Sequence, residues 1–395
     1  MQLNTPVAES LRIVLAGNRN AGKSSLLNSI FQRDIAIVSD VAGTTTDPVS
    51  RKIELRNLGP CVITDTAGLD DIGELGKKRT EKSLEKLLES DLVLFVSSLN
   101  REITQSEKDF YNFIKEKKLN SLLVYTFAEN ENKKVFEEKN EFFKNIDFIK
   151  TDNKKPIEYY ESLLLKIENA ASKAEKEIGV LDNLVKKGDT VILVCPIDDA
   201  APKGRLILPQ VETLRDCLDK NCKAFVCQVS ELEETLNSLK EKPELVITDS
   251  QAFAEVSKIV PHDVRLTGFS ILFARKKGDY GYFVKSLEYL NSLKSDSHIL
   301  IFEACSHHRQ DDDIGTVKIP ALLRKKISDK LVIENVRQFP EDLSSIDLVI
   351  TCGGCMFSRK MMLNKLSGIF ERQIPVVNYG LFLSWANGLF PRAGL

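Results

Sequence analysis

Leu11-Arg-Ile-Val-Leu-Ala16 is a short apolar run of strand type that passes without a break into Gly17-Asn18-Arg19-Asn20-Ala21-Gly22-Lys23-Ser24. This is a complete G-x-x-x-x-G-K-S loop, and residues 24–31 continue it as a helix-type segment. A strand that turns through a glycine loop directly into a helix admits few architectures. It opens a β–loop–α unit on a largely parallel sheet, so the expected fold class is α/β. The glycines let successive backbone N–H groups curl around phosphates at the positive end of the helix. Ala21, Gly22, Lys23, Ser24 and Ser25 are therefore the expected nucleotide contacts. Lys23 is placed to reach the β- and γ-phosphates, and the Ser24 hydroxyl to bind Mg2+.

Two later segments complete a nucleotide switch. Ala42-Gly43-Thr44-Thr45-Thr46-Asp47 reads as a first switch loop, with a threonine hydroxyl on the magnesium. Asp65-Thr66-Ala67-Gly68 follows a strand over 61–64 and reads as the second, where the Gly68 N–H senses the γ-phosphate. The expected catalytic set is Asn20, Lys23, Thr45 and Asp65. Leu69 stands where many GTPases carry a water-orienting Gln, and no arginine stands in an obvious position to replace it. Slow hydrolysis follows. The strand Ser121-Leu-Leu-Val-Tyr125 then delivers Thr126-Phe127-Ala128-Glu129 where a guanine reader would have Asn-Lys-x-Asp. Glu129 keeps a carboxylate one methylene further out, and Phe127 offers a ring for stacking. Triphosphate binding is thus expected, with weakened selectivity for GTP.

At 395 residues the chain exceeds one ordinary core, and 43% apolar residues suffice to build several. Net charge is −2, so no basic excess advertises nucleic acid. No run approaches the roughly 18 apolar residues of a membrane span. With no apolar leader at the start, the expected location is cytoplasmic. The charge-rich stretch 130–187 reads as the close of the first domain, with a helix over 157–171, followed by an exposed helical linker. A new alternation begins at Asp189: strands over 190–195, 224–228 and 244–248, with helices between them. This is a small α/β unit whose open sheet edges invite pairing with a second copy. Domains are placed at 1–172, 173–267 and 268–395.

The last of these carries Cys305-Ser306-His307-His308 just past the run His298-Ile-Leu-Ile-Phe-Glu-Ala304, and Cys352-Gly353-Gly354-Cys355 just past Asp347-Leu-Val-Ile-Thr351. Helix-type segments between the two runs make parallel neighbours of them, so the thiols leave one end of one sheet. Three thiolates suit an iron–sulfur cluster with one open iron. Zinc on Cys305, His307, Cys352 and Cys355 satisfies the ligand types as well. Cys61, Cys195, Cys217, Cys222 and Cys227 read as packing residues.

Together these residues resemble a known family. Asn20 with the Gly-Thr-Thr of switch I is similar to the TrmE/Era-like GTPases, which implies a K+ site on Asn20, Ser39 and Thr44, with Ser24 and Thr45 on Mg2+. The whole chain resembles the HydF family, GTPase scaffolds of FeFe-hydrogenase maturation. The resemblance is carried by C-x-H and C-x-x-C, by the block from Pro196 to Pro209, and by Thr248-Asp-Ser-Gln-Ala-Phe253. It implies an N-terminal P-loop GTPase domain, a small α/β dimerisation domain giving a homodimer, and a C-terminal α/β iron–sulfur domain. It also implies a 4Fe-4S cluster on Cys305, Cys352 and Cys355, with His307 a candidate fourth ligand beside Glu303 and solvent. The cargo would be a di-iron subcluster precursor, and the partners the radical-SAM maturases and apo-hydrogenase. The other reading is a TrmE/Era-like GTPase acting on RNA, with a structural zinc.

Overall fold

The computed structural model describes residues 10–33, 39–41, 49–55, 58–66, 68–69, 83–152, 156–172, 178–197, 206–304 and 313–394. The chain divides into two compact units, Met1–Lys176 and Glu177–Leu395.

The first unit is built on a seven-stranded sheet. Its strands are β1 (Leu11–Ala16), β2 (Ser39–Val41), β3 (Val49–Leu55), β4 (Gly59–Asp65), β5 (Leu92–Ser98), β6 (Ser121–Thr126) and β7 (Asp147–Lys150). They lie in the order β2-β3-β4-β1-β5-β6-β7. Among these strands β3 alone runs against the direction of the other six. β5 is buried at every position, as a central parallel strand covered on both faces must be. One face is covered by α1 (Lys23–Arg33) and α4 (Pro156–Ala171), the other by α2 (Gln105–Glu116) and α3 (Lys133–Phe142). The helix expected over 157–171 is present, whereas α3 and β7 arise inside the charge-rich stretch read as solvated.

Between α2 and α3 lies a buried ion pair. Lys139 has no exposed surface and Glu107 is 2% exposed. The Lys139 ammonium donates to Glu107 Oε1 at 3.2 Å, to Ser97 Oγ at 2.9 Å and to the Ser98 carbonyl at 2.8 Å. Burial pushes the Lys139 pKa down, and Glu107 pulls it back up. Removing one partner strands the other charge. Lys139→Met should therefore cost about 3–5 kcal/mol of unfolding free energy in a urea titration of the whole chain. A loss below about 1 kcal/mol would show that the pair is not desolvated in solution.

The second unit holds two four-stranded parallel sheets. The first contains β8 (Thr190–Val194), β9 (Lys223–Cys227), β10 (Leu245–Thr248) and β11 (Arg265–Gly268), in the order β11-β10-β8-β9. The second contains β12 (His298–Phe302), β13 (Val332–Val336), β14 (Leu348–Thr351) and β15 (Val376–Asn378), in the order β13-β12-β14-β15. Its helices are α5 (Leu208–Asp219), α6 (Leu232–Ser238), α7 (Phe253–Ile259), α8 (Phe269–Lys277), α9 (Tyr280–Tyr289), α10 (Ile319–Lys326), α11 (Arg359–Glu371) and α12 (Tyr379–Ala386). One continuous apolar core runs from Ile192 and Val246 to Ile301 and Val349 and so serves both sheets. In α8, Phe269, Ile271, Leu272, Phe273 and Ala274 are all buried, because the helix packs on all sides. The expected exposed helical linker is not found: among the described residues, Val180, Leu181 and Leu184 are buried in this unit's core. Their apolar side chains outweigh the lysines around them.

Candidate functional site

The phosphate loop leaves the carboxyl end of β1 and enters α1 at Lys23. Gly17 is required by contact, since a Cβ there would lie 2.2 Å from the Val96 carbonyl oxygen. Asn20 takes a left-handed φ of 56°, which Asn tolerates better than most residues. Lys23 is 8% exposed, and its ammonium donates to the carbonyls of Gly17 at 2.7 Å and Asn18 at 3.0 Å. It thus lies inside the curl of the loop.

Ser24 Oγ donates to Asp65 Oδ2 at 3.4 Å, while Asp65 Oδ1 is buried with no hydrogen-bond partner. Burial pushes the Asp65 carboxyl pKa up, opposed by Lys23, Ser24 and Arg51. A hydroxyl beside a buried carboxylate oxygen that lacks a donor is a fitting cradle for Mg2+, which binds through few protein oxygens. Gly68 lies just beyond, and the Leu69 N–H donates to the Gly17 carbonyl at 3.3 Å. Thr44, Thr45 and Ala67 lie outside the described residues, and Ser39 is described only as backbone of β2.

The base-reading turn is tied to the phosphate loop directly. Thr126 Oγ1 donates to the Ala21 carbonyl at 2.6 Å. Phe127 has φ 58°, an αL conformation costly for a bulky residue. The Ala128 N–H donates to the Thr151 carbonyl at 3.2 Å, so the later loop closes on the same turn. Glu129 Oε2 is buried without a partner. The turn from β5 to α2 supplies contacts that the sequence reading missed. Arg101 Nη2 donates to the Asn20 carbonyl at 2.8 Å, and Asn18 bonds to Thr104 and Ser106. These partners are 81 to 88 residues apart, and no local motif marks them.

In the second unit β12 and β14 pair in parallel, with Phe302 opposite Thr351. The Cys352 N–H donates to the Phe302 carbonyl at 3.1 Å, and Cys352 Sγ accepts from the Ala304 N–H at 3.2 Å. Gly354 takes φ 60°, and Met362 Sδ lies 3.1 Å from where its Cβ would be, so the loop needs glycine there. Cys355 packs against the core that contains Phe269, Leu272 and Phe273. Burial foremost, then Cys352 and Glu212, push its thiol pKa up to about 12, against the pull of Lys277. Cys305 and His307 lie outside the described residues. Among the described residues no group of three His, Cys, Asp or Glu side chains gathers as a metal site. Cys61, Cys195, Cys217, Cys222 and Cys227 are all buried.

A phosphate loop, a serine–aspartate cradle and a seven-stranded sheet with one antiparallel strand define the first unit as a P-loop GTPase domain. Further α/β sheets follow it. The description "50S ribosome-binding GTPase" matches residues 12–127, "Hydrogen maturase F dimerization domain" residues 180–278, and "Hydrogen maturase F tetramerization domain" residues 281–394. The chain belongs to the hydrogen maturase F family, HydF, and is a HydF-type GTPase.

Curated relatives match about a quarter of this chain. A tRNA modification GTPase of Aquifex aeolicus is 37% identical over 112 residues, 28% of this chain and 25% of that protein. One of Acinetobacter baumannii is 45% identical over 94 residues, 24% and 20% respectively. The chain spans about a quarter of the length of these relatives. Among solved structures, the G domain of the T. maritima FeoB iron transporter aligns at 21% identity and TM-score 0.32, over 41% of this chain and 99% of that one. The dimerisation and tetramerisation matches mark the chain as one that oligomerises. No described helix is long and apolar enough to cross a membrane.

Proposed function

We propose that this chain is a cytoplasmic scaffold and carrier in FeFe-hydrogenase maturation, organised as a GTPase domain (1–172), a dimerisation domain (173–267) and a cluster domain (268–395). Cys305, Cys352 and Cys355 would hold a 4Fe-4S cluster, with His307 or an oxygen donor at the remaining iron. When bound, that cluster supplies an iron whose outer ligand can be exchanged for a di-iron precursor. The observation that carries the reading is the hydrogen bond from the Ala304 N–H to Cys352 Sγ. It places the covalent neighbour of Cys305 against the first thiol of the Cys-x-x-Cys loop. Radical-SAM maturases would load the carrier and apo-hydrogenase would receive its cargo.

Pairing through the first sheet is supported by its edge strand. In β9, Phe225 and Val226 are 38% and 47% exposed, beside Val211 and Leu218 of α5 at 46% and 62%. An uncovered apolar edge is a template for a second chain. Metal analysis of anaerobically purified protein tests the whole reading. Iron with inorganic sulfide supports it, and zinc alone would give the RNA-acting alternative instead.

The nucleotide part of the reading carries two expectations. Glu129 Oε2, buried and lacking a donor, suits the N1–H of guanine. Glu129→Ala should therefore erase about 10- to 100-fold of the preference for GTP over ATP in competition titrations. An unchanged ratio would show that another group reads the base. Asn20, Ser39 and Thr44 are assigned to K+, in place of an arginine on the γ-phosphate. Turnover should then be faster in K+ than in Na+ at equal ionic strength, and Asn20→Ala should remove the difference. Equal rates in both salts would take K+ out of the mechanism.

A further inference from the structure

Asn18, the residue after the first loop glycine, is only 3% exposed, and its side chain bonds to the turn between β5 and α2. Its amide Nδ2 donates to Thr104 Oγ1 at 2.7 Å, and its Oδ1 accepts from Ser106 Oγ at 2.8 Å. Both partners stand at the start of α2. Thr104 is the N-cap of that helix and forms a capping box with Glu107, whose Oε2 accepts from the Thr104 N–H at 2.9 Å. Glu107 Oε1 also accepts from Ser97 Oγ at 2.6 Å and from Lys139 of α3. Two elements of the phosphate loop are thus gripped by one turn: the Asn18 side chain, and the Asn20 carbonyl through Arg101.

We infer that Asn18, Thr104 and Ser106 form a positioning socket that presets the phosphate loop before nucleotide arrives, with the Glu107–Lys139 pair as its buried anchor. The inference rests on the nucleotide reading of the loop and extends it to residues that touch no phosphate. A loop whose N–H groups must all converge on one anion loses affinity when its backbone is free to relax, because binding must then order it. The carboxamide suits the task because it donates and accepts at once, and it does so from a buried side chain. The hydroxyls of Thr104 and Ser106 cannot be replaced by apolar groups without leaving Asn18 buried and unsatisfied.

The test uses the full chain, with GTP and GDP titrated separately and steady-state kinetics measured alongside. Asn18→Ala should weaken both nucleotides by about 10- to 100-fold, with the loss of kcat/KM carried mainly by KM. Thr104→Val should do the same, and Thr104→Ser should restore binding. The double variant Asn18→Ala with Thr104→Val should lose less than the two single losses combined, since both remove the Asn18–Thr104 bond. Ser106→Ala, a milder change that keeps the Asn18–Thr104 bond, should cost about 3- to 10-fold and serves if the others fail to fold. Parental affinity in folded Asn18→Ala or Ser106→Ala protein would overturn the socket, as would full additivity in the double variant. Failure of the parent chain itself to bind triphosphate would instead overturn the nucleotide reading.

Discussion

Lys23→Ala should leave a folded chain with no measurable hold on a nucleoside triphosphate. The Lys23 ammonium already lies inside the loop at 2.7 Å from the Gly17 carbonyl, so its position is set before any ligand arrives. A triphosphate brings several negative charges into this curl, and Lys23 is the buried cation of the loop. Hydrogen bonds to ionised groups contribute about 1.5–3 kcal/mol each, and the ammonium, with one N–H beyond the two on the Gly17 and Asn18 carbonyls, can give two to phosphate oxygens by releasing one of these carbonyls. The loss should be about 1,000-fold or more in a fluorescent-nucleotide titration. Circular dichroism should show the sheet intact, because the apolar core of this unit does not depend on Lys23. Retention of affinity within about tenfold would mean that the anion is held elsewhere.

The second large effect concerns the thiols. Cys305→Ser, Cys352→Ser and Cys355→Ser should each lose most of the iron and sulfide of anaerobically purified protein, since two thiolates seldom hold a cubane. Nucleotide affinity should survive in all three, because the phosphate loop lies in the other unit. A pH dependence follows from the desolvated thiol of Cys355. Its thiol is raised from an ordinary value of 9.0 to about 12, so in metal-free protein it is protonated at neutral pH. A metal must displace that proton, so loading should become more favourable as pH rises. Metal-free stability runs the other way. Below pH 9 the thiol is protonated in both folded and unfolded chains and contributes nothing; between 9 and 12 only the unfolded chain ionises, so stability falls as pH rises. Full iron content in Cys305→Ser protein would remove this thiol from the centre.

How much was legible in the sequence differs between the sites. The phosphate loop and the parallel neighbours β12 and β14 could be read locally, because glycine spacing and apolar runs are local signals. β13, with Glu334 and Asn335 exposed in its middle, and β15, only three residues long, carry too little pattern to be seen. The segment 269–275 is apolar nearly all round, which erases the periodicity that would have marked it as a helix. Val180, Leu181 and Leu184 were obscured by a charged neighbourhood. The grip of Arg101, Thr104 and Ser106 on the phosphate loop exists only in space. So does the bond from Thr126 to Ala21, which lets a threonine fasten the base-reading turn to the loop.

Helix α8 has a consequence for how this chain can be divided. The pattern changes at residue 268, and a boundary there looks natural in one dimension. In space the helix that begins at Phe269 fills the seam between two sheets, and the Cys-x-x-Cys loop rests on it, with Gly353 against Phe273. Arg359, four residues past Cys355, caps the far end of the helix through the carbonyls of Lys276 and Gly278 at 3.1 and 2.6 Å. A chain severed at that seam would bare an apolar groove on one fragment and an apolar ridge on the other. The lobe that carries Cys352 and Cys355 and the lobe built on β8–β11 therefore share one helix, and neither can be cut free with its core intact unless α8 and its counter-surface go along.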